Sequence, residues 1–211
     1  MRTIGIDAEV WERLSRHYDR QGWLERRPIR RLLALTDLGE GERLLDVATG
    51  TGAVLRVLAG SSIRPHEAIG IDASPRMLAR VPSLPAGWSL LRADVRQLPF
   101  EGGMFDVVTA SYLLHVLAEP DREAALRECR RVLRPGGRLA VLTPAIPPWP
   151  GARWLARALD RLAVGDLDRF GGLKALDPRA ALAAAGFEIV TARYSVAGYP
   201  SICVIASRPS D

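Results

Sequence analysis

Residues 44–58 read LLDVATGTGAVLRVL: an apolar run holding one aspartate, Asp46, then Gly50 and Gly52 two apart, then a second apolar run. Aliphatic residues ahead of a glycine turn and apolar residues at helical spacing behind it describe a buried strand that enters a helix. Such a turn presents backbone N–H groups and the positive end of a helix to a ligand, and glycine permits close approach. A dinucleotide loop, G-x-G-x-x-G, needs a third glycine for helix and strand to pack closely. Leu55 occupies that place. Asp46 points the same way, because a carboxylate four residues before the first glycine repels a pyrophosphate and suits an ammonium group.

Working outward, short apolar or β-branched runs recur at 43–48, 68–72, 88–92, 105–110, 138–143, 187–193 and 201–207, and predict seven strands. Between the early ones lie helix-spaced segments; Ala125, Cys129, Val132 and Leu133 fall on one face. This alternation predicts an α/β fold with a doubly wound, mostly parallel sheet and helices on both faces. Ser74-Pro75 and Asp177-Pro178 read as helix starts, and Gly136-Gly137 and Gly186 as helix stops. The last two runs are joined by only Ala197-Gly198-Tyr199-Pro200, too short for a parallel crossover, so they form an antiparallel C-terminal hairpin. Residues 1–40 read as two helices, 8–20 and 28–38, joined at Gln21-Gly22-Trp23; a second irregular region covers 144–176.

The chain has 211 residues, close to half of them apolar, enough to bury the core of a single domain over 1–211. No apolar stretch reaches the ~18 residues that span a bilayer, and the first residues are too charged for a signal peptide, so a cytoplasmic protein is expected. Cys129 and Cys203 lack ligand-spaced partners and read as buried free thiols, with no metal site. The net charge of +5 comes almost wholly from arginine; the only lysine is Lys174. The group Arg127, Arg130, Arg131 and Arg134 has Asp121, Glu123 and Glu128 as neighbours and reads as a solvated helix face, so no nucleic-acid partner is expected. The oligomeric state is open.

Two further acids close strands. Asp72 ends AIGID, where an acceptor-only group suits the two hydroxyls of a ribose; Asp94 ends WSLLRAD, where a carboxylate can accept from an exocyclic amine. With these in place, the chain resembles the class I S-adenosylmethionine-dependent methyltransferases. LLDVATGTG, AIGIDASPRML, RADVRQLPF, FDVVTASYLLHVL and RVLRPGGRLAVLTP look like that family's successive motifs, closest in flavour to the small-molecule branch with the ubiquinone/menaquinone C-methyltransferases. The resemblance implies a Rossmann-like seven-stranded sheet with a reversed final hairpin, S-adenosyl-L-methionine as cofactor and S-adenosyl-L-homocysteine as product. It implies that Gly50 and Gly52 pass under the methionine part, Asp46 faces the ammonium, and Asp72 binds the ribose. Ala73 and Met77 would lie against the adenine, Asp94 would accept its amine, and the Val95 amide would donate to the ring. Ala48 stands where the family's first glycine is expected. Tyr18, in Tyr18-Asp19, resembles a lid residue over the cofactor, which makes 1–40 an N-terminal lid, and 144–176, opening with a loop that leaves the fifth strand at its ligand-bearing end, reads as a substrate-side insertion.

The implied reaction is in-line displacement of the methyl group onto a small-molecule acceptor, by O-, N- or C-methylation. The segment Ser111-Tyr112-Leu113-Leu114-His115 follows the fourth strand; Ser111 is read as a cofactor contact, and His115 and Tyr112 as catalytic, since an imidazole of ordinary pKa near 6.5 suits a general base. Trp11, Trp23, Trp149 and Trp154 are candidate aromatic walls or packing anchors. Competing readings are a methyltransferase acting on tRNA or protein, a catalytically silent cofactor-binding module, and a nucleotide-dependent oxidoreductase, against which the missing third glycine and Asp46 speak.

Overall fold

The computed structural model describes residues 22–62, 64–151, 154, 175–196, 198 and 200–210. In chain order these form α1 (Gly22–Thr36), β1 (Arg43–Val47), α2 (Ala53–Ala59), β2 (Glu67–Asp72), α3 (Pro75–Leu78), β3 (Trp88–Arg92), β4 (Phe105–Ser111), α4 (Glu119–Val132), β5 (Leu133–Pro144), α5 (Arg179–Ala184), β6 (Glu188–Ser195) and β7 (Ser201–Ser207). One seven-stranded sheet has the order β3-β2-β1-β4-β5-β7-β6. The first five strands pair in parallel, and β7 lies antiparallel between β5 and β6. This is the doubly wound plan with a reversed hairpin that spacing and turns predict.

Strand alternation sends side chains to two cores. Leu44, Val107, Ala140, Leu142, Cys203 and Ile205 face one side and pack with Ile29 and Leu32 of α1 and Val54, Leu55 and Leu58 of α2. Leu45, Val47, Val108, Leu139, Val141 and Val204 face the other, against Ala125, Leu126 and Cys129 of α4 and Leu182 of α5. Both cysteines are buried and free.

Three boundaries differ from the sequence reading. Gly22 and Trp23, expected to join two helices, lie inside α1, and Pro28, expected to open a helix, sits within it. Pro28 has no N–H to give the carbonyl of Leu24 one turn earlier. The chain meets that carbonyl with Gly198, where any Cβ would collide with it. The expected partner helix at 8–20 lies outside the described residues. Gly136 and Gly137, expected as a helix stop, lie within β5, because α4 already gives way at Leu133, whose ψ of 138° is extended. Ser74 caps α3 as expected, its Oγ accepting from the Met77 N–H at 3.3 Å. At Asp177-Pro178, Asp177 Oδ1 accepts from the Arg179 N–H at 3.1 Å.

The far end of α1 is tied to the sheet by Arg138 of β5. Its guanidinium donates to both Glu42 oxygens at 2.7 Å and to the carbonyl of Asp37 at 2.7 Å. That clamp sets where the opposite end of α1 meets the carboxyl ends of the strands.

Candidate functional site

Strand order reverses between β1 and β4, and open α/β sheets bind ligands at such a crevice, outside the carboxyl ends of the strands. Asp46, Ala48, Thr49, Gly50, Ser111 and Tyr112 share one narrow cleft there, and Glu25 of α1 also lines it. The loop leaving β1 uses left-handed backbone at alternate residues: φ is 52° at Ala48, 56° at Gly50 and 80° at Gly52. This dihedral is why glycine is the expected residue at 48; alanine holds it with strain on the order of 1 kcal/mol. A Cβ placed on Gly50 would meet nothing within 4 Å, so that residue offers bare backbone to open space.

Asp46 is 1% exposed. Its two oxygens accept from the hydroxyls of Thr49 and Thr109, each at 2.6 Å. Burial pushes its carboxyl up to about 6, against the pull of those two hydrogen bonds. Thr109 sits beside Asp46 because β1 and β4 pair in that register. Asp72 ends β2 and braces the loop: Oδ2 accepts from the Gly50 N–H at 2.9 Å and Oδ1 from the Ser74 N–H at 2.8 Å. Burial raises the Asp72 carboxyl and amide donors oppose it. Each of its oxygens keeps acceptor capacity for a ligand.

The remaining candidates are more spread. Ala73 is exposed and its carbonyl accepts from Arg92 Nε at 3.3 Å, while Met77 is buried. Asp94 is held by Arg96, with Nη2 on Oδ2 at 2.7 Å, and Arg96 also bonds Asp121 at 3.1 Å. The Arg96 hydrogen bonds lower the Asp94 carboxyl. Val95 is part of the α4-side core. Ser111 Oγ is buried without a hydrogen-bond partner. Tyr112 holds a left-handed φ of 54°, and its hydroxyl lies 3.0 Å from Ser201 Oγ. His115 packs edge-on against Tyr112, with ring centroids 6.3 Å apart, and its Nδ1 has no partner. The premise of an ordinary imidazole pKa fails: burial, then the charge of Arg122, brings His115 down to about 3. It is neutral at pH 7 and weakly basic. Tyr18 and Trp11 lie outside the described residues, as does the side chain of Trp23. Trp149, 44% exposed, stacks edge-on with Tyr194 at 5.7 Å, and Trp154 is 76% exposed.

Sequence reading missed Glu25, Thr49 and Thr109. Thr49 lies inside the quoted glycine turn and was open to recognition; Thr109 depends on strand register, and Glu25 on how α1 crosses the sheet.

The donor set fits a cationic nucleoside: acceptor-only carboxylates at Asp46, Asp72 and Glu25, bare backbone at Gly50 and an unpartnered hydroxyl at Ser111. The sequence profile of the family described as "Methyltransferase domain" matches residues 45–141. Residues 45–141 are thus similar to a methyltransferase domain. The matched region runs from β1 into β5 and contains every candidate above except Tyr18, Glu25 and the tryptophans at 11, 23, 149 and 154. A demethylmenaquinone methyltransferase of Thermotoga maritima is 39% identical over 108 residues, 51% of this chain and 45% of that protein. One from Staphylococcus aureus is 34% identical over 149 residues, 67% of this chain and 61% of that protein. The chain thus spans roughly half of these relatives' length. Among solved structures, a putative methyltransferase of Haloferax volcanii, in complex with the Trm112 methyltransferase activator, superposes with a TM-score of 0.73 at 16% identity, covering 98% of both chains. At that identity the likeness speaks for the methyltransferase fold alone.

Proposed function

We propose that the protein transfers the methyl group of S-adenosylmethionine to a small-molecule acceptor. The observation that carries this reading is the cleft at the β1/β4 switch point, where Glu25, Asp46 and the Asp72-braced Gly50 loop present carboxylates and bare backbone instead of phosphate-binding groups. When bound, the cofactor supplies an electrophilic methyl on a sulfonium. Asp72 would take the ribose hydroxyls, while Asp46 and Glu25 would face the ammonium and Gly50 and Gly52 the methionine chain. Ser111 Oγ would meet a polar atom of the same ligand. Ala73, Met77, Asp94 and the Val95 amide would frame the adenine, with Asp94 released from Arg96. Tyr112 and His115 would border the acceptor, and Tyr18 would cover the cofactor.

A neutral His115 of depressed basicity suits an acceptor that loses its proton easily, such as an acidic hydroxyl or carbon. Trp149, within the insertion 144–176, packs edge-on against Tyr194 at the carboxyl end of β6, and this pair supports an apolar or aromatic acceptor. Demethylmenaquinone methyltransferase names among the relatives support the same class. We read 1–211 as one domain with 1–40 as its lid, acting in the cytoplasm; no described helix is long and apolar enough to cross a membrane.

Calorimetric titration with S-adenosylmethionine and S-adenosylhomocysteine tests the reading, and absence of binding at millimolar ligand would sink it. Asp72→Asn should weaken binding by about 1.5–3 kcal/mol, the scale of hydrogen bonds to a charged group. In cell extract, label from methyl-labelled cofactor should enter solvent-extractable material; label found only in precipitable RNA or protein would move the acceptor to those classes.

A further inference from the structure

At the opposite end of β4 and β5 from the cofactor cleft, four arginines surround an open depression of ≈ 560 Å³. Arg127, Arg130 and Arg131 come from the last turns of α4, Arg208 lies just beyond β7, and Gly102 and Gly103 form part of the wall. Among the described residues their counter-charges are few. Arg131 is paired with Glu128 at 2.7 Å, whereas Arg127 reaches Glu123 only at 3.9 Å with both side chains exposed. Arg134, the next arginine along, bonds Asp106 and does not line the depression.

Arg130 and Arg208 meet carbonyls instead of carboxylates. Arg130 Nε donates to Gly186 O at 3.2 Å; Arg208 Nη1 donates to Arg130 O at 3.1 Å, to Arg131 O at 3.3 Å and to Leu133 O. These bonds cap the end of α4 and account for one nitrogen of Arg208. Nε of the same guanidinium is buried, exposes no surface to the depression and has no hydrogen-bond partner among the described residues. A concave wall carrying four guanidiniums, of which only Arg131 has a close carboxylate partner among the described residues, calls for a ligand with several acceptor oxygens. Guanidinium forks match oxyanions in geometry as well as charge.

We propose that this depression binds a phosphate-type oxyanion, free or carried by a small molecule, at a site separate from the methyltransferase cleft. The test is calorimetric titration of the full chain with inorganic phosphate and with inorganic pyrophosphate, at ionic strength held constant with potassium chloride. Saturable binding is expected, tighter for pyrophosphate. Arg127→Gln/Arg130→Gln should weaken it by about tenfold or more. Arg64→Gln/Arg193→Gln, which removes equal charge from exposed positions elsewhere, should leave it unchanged. Should the first double variant melt early, Arg127→Gln alone decides, because that side chain is exposed and has only the 3.9 Å contact to lose; a measurable loss of affinity is expected there too. Absence of saturation, equal losses in both double variants, or full binding in Arg127→Gln/Arg130→Gln would overturn the proposal. Binding of an RNA oligomer without binding of pyrophosphate would overturn it in favour of a nucleic-acid surface.

Discussion

Asp46 concentrates the tension between stability and function in this protein. Its carboxyl, ordinarily near 3.8, titrates at about 6 because burial outweighs the Thr109 and Thr49 hydroxyls. A raised acid contributes stability fully below its unfolded value and loses it as pH climbs through the folded one. The ionised form therefore costs the fold on the order of 3 kcal/mol above pH 6. Asp46→Asn should match the parent in urea unfolding near pH 3.8, exceed it progressively up to pH 6, and hold that gain at pH 8, while binding the cofactor more weakly. Equal stability at pH 8 would mean that the carboxylate is better solvated than its burial indicates. Two residues on, Ala48 carries its strain at φ 52°. Ala48→Gly should raise the urea midpoint by the equivalent of about 0.5–1 kcal/mol, since relief of the left-handed strain exceeds the greater entropy of an unfolded glycine. An unchanged midpoint would show those two effects to be equal.

At the scale of elements, α1 is more than a cover. Ile29 and Leu32 are 1% and 0% exposed and pack with Tyr112, Leu142 and Cys203. Arg138 and Glu42 anchor one end of the helix, and Glu25 near the other end reaches the cleft. Residues 1–40, proposed as a lid, thus contain a segment that is part of the core. Leu32→Ala should cost about 2–5 kcal/mol in chemical unfolding, the range for a buried leucine that leaves a cavity; a loss below 1 kcal/mol would class α1 as a detachable flap. Helix and strand identities along the chain were legible because their apolar periods differ. The start of α1 was not, because Pro28 reads as a helix opener and only the contact of Gly198 with the freed Leu24 carbonyl explains its place inside.

Across the whole molecule the sheet separates two cores, one under α1 and α2 and one under α4 and α5. Leu32 and Leu126 lie on opposite faces, and distant sites without shared partners add. Leu32→Ala and Leu126→Ala should therefore combine within about 0.5 kcal/mol, in a single unfolding transition. A larger discrepancy would show that the sheet transmits strain between its faces. The two ends of the sheet differ as well: carboxylates gather at the β1/β4 switch point, and arginines with few counter-charges at the other end.

The amino-acid order by itself determined the seven strands, their parallel plan with a reversed hairpin, and the glycine turn with acids at 46, 72 and 94, because each of these is a local pattern of period, turn residue or spacing. Tertiary structure alone decided what those acids experience. The Asp46–Thr109 contact follows from strand register, the loss of basicity at His115 from burial beside Arg122, and the place of Glu25 from the path of α1. The same holds for the arginines between 127 and 134, which read as one solvated face. Arg131 keeps a partner three residues away in Glu128, whereas only folding brings Arg134 to Asp106 and Arg208 to the carbonyls of Arg130, Arg131 and Leu133, since those contacts join residues that chain order leaves far apart.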